Sequence, residues 1–244
     1  MPMSDPPAHA TCPPSVRAVD LGHVLVLINY RSGRAQCLLP AAAPRWCAAA
    51  RTGDLTPLGD TLTSRLLDLG LIVPTEHPQP WPVPIPATAR VGGGGDEHRA
   101  GIVRPAHVPL RSVVRAGAAL ARVFMVTRGT QGMQRIISLL NYANAYARCN
   151  RPATEAEATA AVQAVRRAGW YSPGRTACLE ESAAALLLLA AQGRRAQWCH
   201  GVAPDPVRLH AWVQTVDGAT VAEPGSTGAY TPVLTIGDRH QHPD

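Results

Sequence analysis

Hydrophobic runs near the start of the chain predict a small mixed unit of strands and helices. The segments "HVLVLINY" (23–30) and "RAQCLL" (34–39) are rich in β-forming residues and flank the short turn "RSG". This arrangement predicts a β-hairpin. Helical spacing of apolar residues then predicts two helices, over roughly 40–51 and about 56–69. The run "LIV" ends this unit before Pro74.

In the second half of the chain, helical periodicity comes first and strand periodicity follows. Thr154 and Glu157 fit the T-x-x-E capping box that begins a helix. The pair Asp217–Gly218 predicts a tight turn between two strands, with residue 216 facing residue 219. The expected elements are two arginine-rich helices within 110–148, helices at 154–169 and 177–192, and strands at 196–203, 208–216 and 219–224.

Proline and glycine indicate a boundary between these two parts. Eight prolines occur at positions 74, 78, 80, 82, 84, 86, 105 and 109, and four glycines follow one another at 92–95. A segment of this composition is typical of a semi-extended linker. We therefore predict a first domain at 1–74, a linker at 75–108 and a second domain at 109–244.

The composition narrows the classes of function. All 23 basic residues are arginine, so lysine-dependent phosphate loops, Schiff bases and lysine general bases are excluded. Six cysteines without a C-x-x-C pair argue against a disulfide framework and against a structural zinc site. The longest apolar run, "SAAALLLLAA", is much shorter than the roughly 18 residues of a membrane span. The start of the chain lacks a signal-peptide pattern, so we expect a cytoplasmic protein.

The net charge of +6 is unevenly distributed. No acidic residue occurs from His98 to Thr154, a stretch that contains arginines 99, 104, 111, 115, 122, 128, 135, 148 and 151. Such a block favours an acidic partner, whether nucleic acid, an acidic peptide or an acidic protein face. A solvated helical surface is an equally good interpretation of the same pattern.

Cys178, His210 and Glu223 are the candidates for chemistry. With Thr176 as the helix cap, Cys178 is expected at the second position of a helix, where the helix dipole favours a thiolate. His210 lies on a predicted strand, and the predicted turn places Glu223 on its side of the sheet, one step away diagonally. A core cysteine, a core histidine and a solvated acid would fit each position taken alone. Together they form the nucleophile, base and orienting group of a cysteine acyl-transfer enzyme.

The stretch "TACLEESAAALLLLAAQGRRAQWCHGVAPDPVRLHAWVQTVDGATVAEP" (176–224) resembles the transglutaminase-like cysteine peptidases that remove the leader in lasso peptide biosynthesis, known as B proteins. The matching positions are Cys178, Leu179, Ser182, Gly201, Val202, His210, Ala211, Trp212, Val213, Asp217 and Gly218. The resemblance implies Cys178 as nucleophile and His210 as base. Glu223 stands where an aspartate is commoner, and Gln214 stands where glutamate is frequent.

The first unit resembles the PqqD-like, winged-helix-like domains that bind precursor leaders as an added β-strand. This resemblance implies that the strand 34–39 is the template edge. A nucleic-acid-binding winged helix has the same hydrophobic pattern, but residues 16–74 carry six arginines against four aspartates and no basic recognition helix. The residues expected to bind substrate, including one beside the candidate active site, are Arg34, Gln36, Leu38, Leu66, Leu69 and Trp212.

The sequence therefore predicts an α+β protein with an N-terminal winged-helix-like (PqqD-like) domain and a C-terminal papain- or transglutaminase-like cysteine peptidase domain. The resemblance implies a lasso precursor peptide as substrate and an asparagine-synthetase-like cyclase as partner, with no nucleic acid and no membrane span. No cofactor motif is evident, and dependence on ATP is implied by the resemblance alone. A non-catalytic precursor-binding scaffold and an acyltransferase that uses the same three residues are the alternatives.

Overall fold

A computed structural model describes residues 7, 9–87, 108–147, 151–172 and 176–237. The chain divides into two compact units, Met1–Thr88 and Ala89–Asp244. Each unit has its own cluster of buried apolar side chains. The predicted glycine linker at 92–95 lies outside the described residues.

The first unit packs two helices against a four-stranded sheet. Its elements are β1 (Ala10–Thr11), β2 (Val16–Asp20), β3 (Leu25–Asn29), β4 (Arg34–Leu38), α1 (Ala43–Thr52), α2 (Asp60–Asp68), β5 (Val73–Pro74) and β6 (Ile85–Pro86). The strand order in the sheet is β4-β3-β2-β6, and β1 pairs with β5. The hairpin of β3 and β4 confirms the prediction. β4 pairs with β3 on one side and, among the described residues, with no strand on the other.

The predicted start of the second helix near residue 56 is wrong. The carboxylate of Asp54 accepts hydrogen bonds from the backbone N–H and the hydroxyl of Thr56, at 2.9 and 2.7 Å. This local turn competes with helix formation. Gly59 then adopts a left-handed φ of 70°, and α2 begins only at Asp60.

The predicted linker is too long at its N-terminal end, because residues 75–87 belong to the first unit. Trp81 is only 4% exposed, and its indole N–H donates to the carbonyl of Ala10 at 2.8 Å. Its ring lies edge-on to Trp46, with centroids 4.8 Å apart. The prolines do keep this segment extended, but one large apolar side chain anchors it to the core.

The second unit surrounds one apolar helix with three helices and a sheet. Its elements are α3 (Leu110–Thr127), α4 (Gly132–Ala147), β7 (Arg151–Pro152), α5 (Glu155–Trp170), α6 (Cys178–Ala191), β8 (Arg194–Arg195), β9 (Gln197–Ala203), β10 (Arg208–Gln214) and β11 (Thr231–Ile236). The helix α6 contacts α3, α4, α5 and the strand β10. A helix that is apolar on all sides is stable in water only when it is buried in this way.

The capping box at the start of α5 confirms the prediction. The Thr154 hydroxyl accepts from the Glu157 N–H at 3.2 Å, and the Glu157 carboxylate accepts from the Thr154 N–H at 3.0 Å. The break between α3 and α4 also lies where the sequence places it.

The predicted return strand at 219–224 is wrong, and so is its register. The Thr215 N–H donates to the Ala219 carbonyl at 2.9 Å, and Gln214 faces Thr220 in an isolated bridge. The turn is therefore one residue longer than a two-residue loop. The third strand of this sheet is β11, on the far side of β9, in the order β10-β9-β11.

The arginine-rich surface is exposed on α3 and α4. Arginines 111, 115, 122, 128 and 135 are exposed, and none of them forms an ion pair with a described carboxylate. The exposed apolar side chains Leu110, Val114 and Met125 lie on α3 as well. An acidic partner for this surface stays a prediction. Among the described residues, no helix combines the length and the apolar character needed to cross a membrane.

Candidate active site

Cys178 is the first residue of α6, and Ala177 is the N-cap. The sequence-based prediction had Thr176 as the N-cap and therefore Cys178 as the second residue of the helix. The Thr176 hydroxyl instead donates to the carboxylate of Glu181 at 2.7 Å. The Ala177 N–H donates to Glu180 at 3.1 Å. The backbone N–H of Cys178 lies in the first helical turn, where no acceptor within the helix is available.

The strand β10 places the imidazole of His210 between Cys178 and Glu223. His210 Nε2 and Glu223 Oε2 are 2.7 Å apart, and the two side chains are 19% and 6% exposed. Cys178 lines the same cavity as His210 and Glu223, and its side chain is one of the groups that raise the pKa of His210. Because Nε2 faces the carboxylate, Nδ1 is the ring nitrogen left for the sulfur. The three residues that the sequence singled out therefore lie together in the structure.

The environment of His210 favours the imidazolium. Burial alone would lower the pKa of His210, since it removes water from the charged ring. Hydrogen bonding and electrostatic interaction with Cys178 and Glu223 outweigh burial and raise this pKa to about 9. His210 is thus positively charged at neutral pH, next to the sulfur.

Glu223 reaches His210 by a route that the sequence did not predict. In the observed register residue 223 would face Ala211, whose side chain points away from His210. Ala222, however, adopts a φ of 51°, a left-handed conformation that is uncommon for a residue with a Cβ. This conformation turns the chain so that Glu223 points back to the imidazole.

Two further side chains hold the Glu223 carboxylate, and sequence reasoning missed both. Arg166 donates to Glu223 Oε1 at 2.8 Å and to the carbonyl of Ala222 at 2.6 Å. The Thr227 hydroxyl donates to Glu223 Oε2 at 3.2 Å. A signal for Arg166 was present in the sequence, since it lies four residues after the buried Val162 on the core-facing side of α5.

Aromatic rings surround the imidazole. Trp212 stacks parallel to His210 with centroids 5.9 Å apart, and Tyr230 lies at 5.2 Å with a tilt of 47°. Burial first, and then the charges of Cys178 and Glu223, raise the pKa of Tyr230, while the nearby Arg208 opposes the change. Trp212 is 2% exposed, so the prediction that it contacts substrate is corrected. It supports the ring of His210 instead.

Gly201 provides the space for this stacking. It pairs directly with His210 across the sheet. A Cβ at this position would lie 2.8 Å from the ring of Trp212 and 2.6 Å from the carbonyl of Thr231. Only glycine fits there without displacing the tryptophan that supports His210.

The neighbouring Cys199 and His200 take no part in the site. Cys199 is fully buried in β9, which confirms its interpretation as a core residue. Burial, and then the charge of His210, lower the pKa of His200 to about 4. His200 is therefore neutral at physiological pH.

A cavity of about 210 Å³ lies beside the three residues, entirely within the second unit. Its polar lining includes Cys178, His210, Glu223, Arg166, Glu181 and Thr176. Within the described ranges, no group of three or more histidine, cysteine or acidic side chains is placed to hold a metal ion.

The residues expected to bind a leader lie in the first unit, and the structure places only some of them at its surface. Arg34 is exposed and Gln36 is half-buried on the edge strand β4. Leu69 is half-buried as well. Leu38, on the predicted template edge, and Leu66, predicted to line a groove, are buried in the core, Leu66 at 1% exposure. The burial of Leu66 does not fit a groove wall, and leader binding by the other residues stays a prediction.

Comparison with known proteins finds one family model that is similar to part of the second unit. The family model described as the transglutaminase-like superfamily matches residues 118–235, a range that contains Cys178, His210 and Glu223. Comparisons with curated proteins and with solved structures find no match. The family match points to cysteine peptidase or acyltransferase chemistry.

Proposed function

Because residues 118–235 match the family model of the transglutaminase-like superfamily, we propose that this protein is a cysteine peptidase that removes the leader from a ribosomally made lasso precursor peptide. The observation that carries the proposal is that Cys178, His210 and Glu223 line one cavity, with His210 Nε2 2.7 Å from Glu223 Oε2. A thiol, an imidazole and a carboxylate in this order are the nucleophile, base and orienting group that amide cleavage needs.

In the first step the Cys178 thiolate attacks the carbonyl carbon of the scissile amide and forms a tetrahedral intermediate. The Cys178 N–H, which has no acceptor within the helix at the start of α6, is a donor for the oxyanion, and one such donor changes kcat by about 10²–10³-fold. The C–N bond then breaks, and the His210 imidazolium gives its proton to the leaving amine. The products are the free core peptide and a thioester between the leader and Cys178.

In the second step water attacks the thioester carbonyl while neutral His210 accepts its proton. The C–S bond breaks, the leader leaves as a carboxylic acid, and the thiolate–imidazolium pair is restored. Glu223 stabilises the imidazolium and fixes its orientation throughout, since its carboxylate stays bonded to Nε2.

The first unit is the proposed leader-binding domain. Its hairpin and two helices fit the PqqD-like resemblance, and β4 offers backbone donors and acceptors at the edge of a sheet. An extended leader would add there as a further strand. Arg34 and Gln36 lie on this edge strand. The free core peptide would pass to an asparagine-synthetase-like cyclase in the cytoplasm.

Mass spectrometry of a purified precursor peptide, taken from the gene neighbourhood of this chain, tests the proposal. The wild-type protein is expected to release leader and core as two products. Cys178→Ala is expected to lose cleavage while still binding the precursor. Cys47→Ala, which removes a half-buried thiol from the other unit, is the matched control and is expected to cleave normally.

The same experiment separates the alternatives. A stable acyl product, formed with an added amine in place of water, would assign acyltransferase activity to the same three residues. If the wild-type protein binds the precursor but the mass of the precursor does not change, the result contradicts the peptidase and favours a scaffold.

A further inference from the structure

We propose that Arg166 is a positioning residue that holds the Glu223 carboxylate against His210. The inference rests on the proposed function in treating His210 as the base. Its test reads the state of His210 directly and needs no substrate. Arg166 lines the cavity, and its contacts there bind it to Glu223, to the Ala222 carbonyl and to Glu181. We infer that it acts through Glu223.

The contacts divide the Glu223 carboxylate between two sets of partners. Oε1 accepts from Arg166 at 2.8 Å, whereas Oε2 accepts from Thr227 at 3.2 Å and contacts His210 Nε2 at 2.7 Å. Glu223 is only 6% exposed, so few water molecules can replace a lost partner. The orientation of the carboxylate therefore depends on what bonds to Oε1.

Arg166 also bonds the backbone at the point where the chain turns. Its second terminal nitrogen donates to the Ala222 carbonyl at 2.6 Å. Ala222 has the left-handed φ of 51° that directs Glu223 toward His210. An uncommon conformation of this kind persists only where the surroundings hold it. The planar guanidinium can bond a carbonyl and a carboxylate at once, which a lysine ammonium does less well.

Arg166 also connects the two sides of the site. Its Nε lies 3.6 Å from Glu181 Oε2, and Glu181 accepts from the Thr176 hydroxyl two residues before Cys178. One side chain from α5 thus contacts the first turn of the helix that carries the thiol and the loop that carries the acid.

Positioning and simple electrostatics predict opposite results. If Arg166 acted only as a nearby positive charge, its removal would raise the pKa of His210, because a like charge would be lost. If Arg166 holds Glu223 in place, its removal weakens the bond to Nε2, and the pKa of His210 falls. The direction of the change therefore identifies the role.

The experiment is an NMR titration of His210 in the full chain, using ¹³C-labelled histidine and with folding checked by circular dichroism. Arg166→Gln is expected to lower the pKa of His210 by about one unit or more. Arg167→Gln is the matched control on the same helix. Arg167 lies over the ring of Tyr171 and has no contact with the site in the structure, so no change is expected.

Two more variants complete the test. Arg166→Lys is expected to lower the pKa of His210 by less than Arg166→Gln does. If Arg166→Gln does not fold, the pKa measured in Arg166→Lys tests the role of Arg166. In the double variant Arg166→Gln/Glu223→Gln, the pKa of His210 is expected to be little lower than in Glu223→Gln alone. Both changes act through the bond between Glu223 and His210 Nε2. An unchanged or higher pKa of His210 in Arg166→Gln, or in Arg166→Lys where only that variant folds, would overturn the proposal.

Precursor cleavage supplies a second readout that is separate from the first. Arg166→Gln is expected to lower kcat by about 10- to 100-fold with KM nearly unchanged, because the lost contact acts on the base and not on the bound peptide. If the wild-type protein cleaves no precursor, the proposed function fails, while the titration of His210 still decides the role of Arg166.

Discussion

At the scale of single residues, burial and hydrogen bonding act on His210 in opposite directions. Desolvation favours the neutral imidazole, but the interactions with Cys178 and Glu223 stabilise the charged form more strongly. Cysteine peptidase chemistry needs this charged form, because the leaving amine takes a proton from it. The same balance makes the folded protein sensitive to alkaline pH.

We predict that the His210 charge stabilises the fold below neutral pH and that this contribution is lost in alkali. The folded pKa of about 9 lies above the ordinary value of 6.5. The contribution is therefore complete below pH 6.5 and declines as the pH rises through about 9. Urea unfolding of the wild type and of His210→Gln between pH 6 and 10 measures this contribution as the difference between their free energies of unfolding. If that difference grew with pH, it would contradict a raised pKa of His210 in the folded protein.

At the scale of elements, the sequence predicts the positions of helices well where local interactions determine where a helix begins and ends. The capping box of Thr154 and Glu157 and the apolar run of α6 are local signals, and both elements form where they were expected. Cys178 and His210 could be found because they lie on such elements. The bounds of α2 were missed because the Asp54 side chain forms a competing turn.

The surroundings of the site depend on contacts distant in sequence, and these were not predictable. The register error at residues 215–219 is a single residue, yet it reverses the face on which Glu223 would lie. Glu223 reaches His210 only because Ala222 turns the chain and Arg166, 57 residues away, bonds the carboxylate. Hydrophobic periodicity places Arg166 on the core-facing side of α5, but it identifies neither Glu223 as its partner nor the turn at Ala222.

We predict that Gly201→Ala destabilises the second unit by about 1–3 kcal/mol, which is typical of overpacking. The added methyl would meet the Trp212 ring at 2.8 Å and a backbone carbonyl at 2.6 Å. Thermal unfolding measures the loss of stability. Gly228→Ala, where nothing lies within 4 Å of the new methyl, is the matched control. Equal unfolding temperatures for the two variants would contradict the packing argument.

At the scale of the whole molecule, the chain consists of two units with separate cores. The proposed work is divided in the same way, with leader capture in the first unit and cleavage in the second. The segment 75–87 shows why the boundary was misplaced, since a proline-rich stretch looks like a linker until one tryptophan is seen to anchor it.

We predict that Trp81→Ala destabilises the first unit by about 3–5 kcal/mol, the usual cost of removing a buried tryptophan. The second unit is expected to stay folded, because its core contains no residue of the first. Urea unfolding should then resolve an early transition for the first unit, and precursor binding should weaken. Loss of the NMR signals of both units together would contradict the separation of the cores.

The central claim is that His210 is held as an imidazolium between the sulfur of Cys178 and the carboxylate of Glu223. An NMR titration of His210 in the wild type and in Cys178→Ala tests it most directly, with His210→Gln to assign the signal. We predict a midpoint near pH 9 in the wild type and a lower one in Cys178→Ala, where the interaction of Cys178 with the imidazolium is lost. A midpoint near 6.5, the ordinary histidine value, that is the same in both proteins would contradict it.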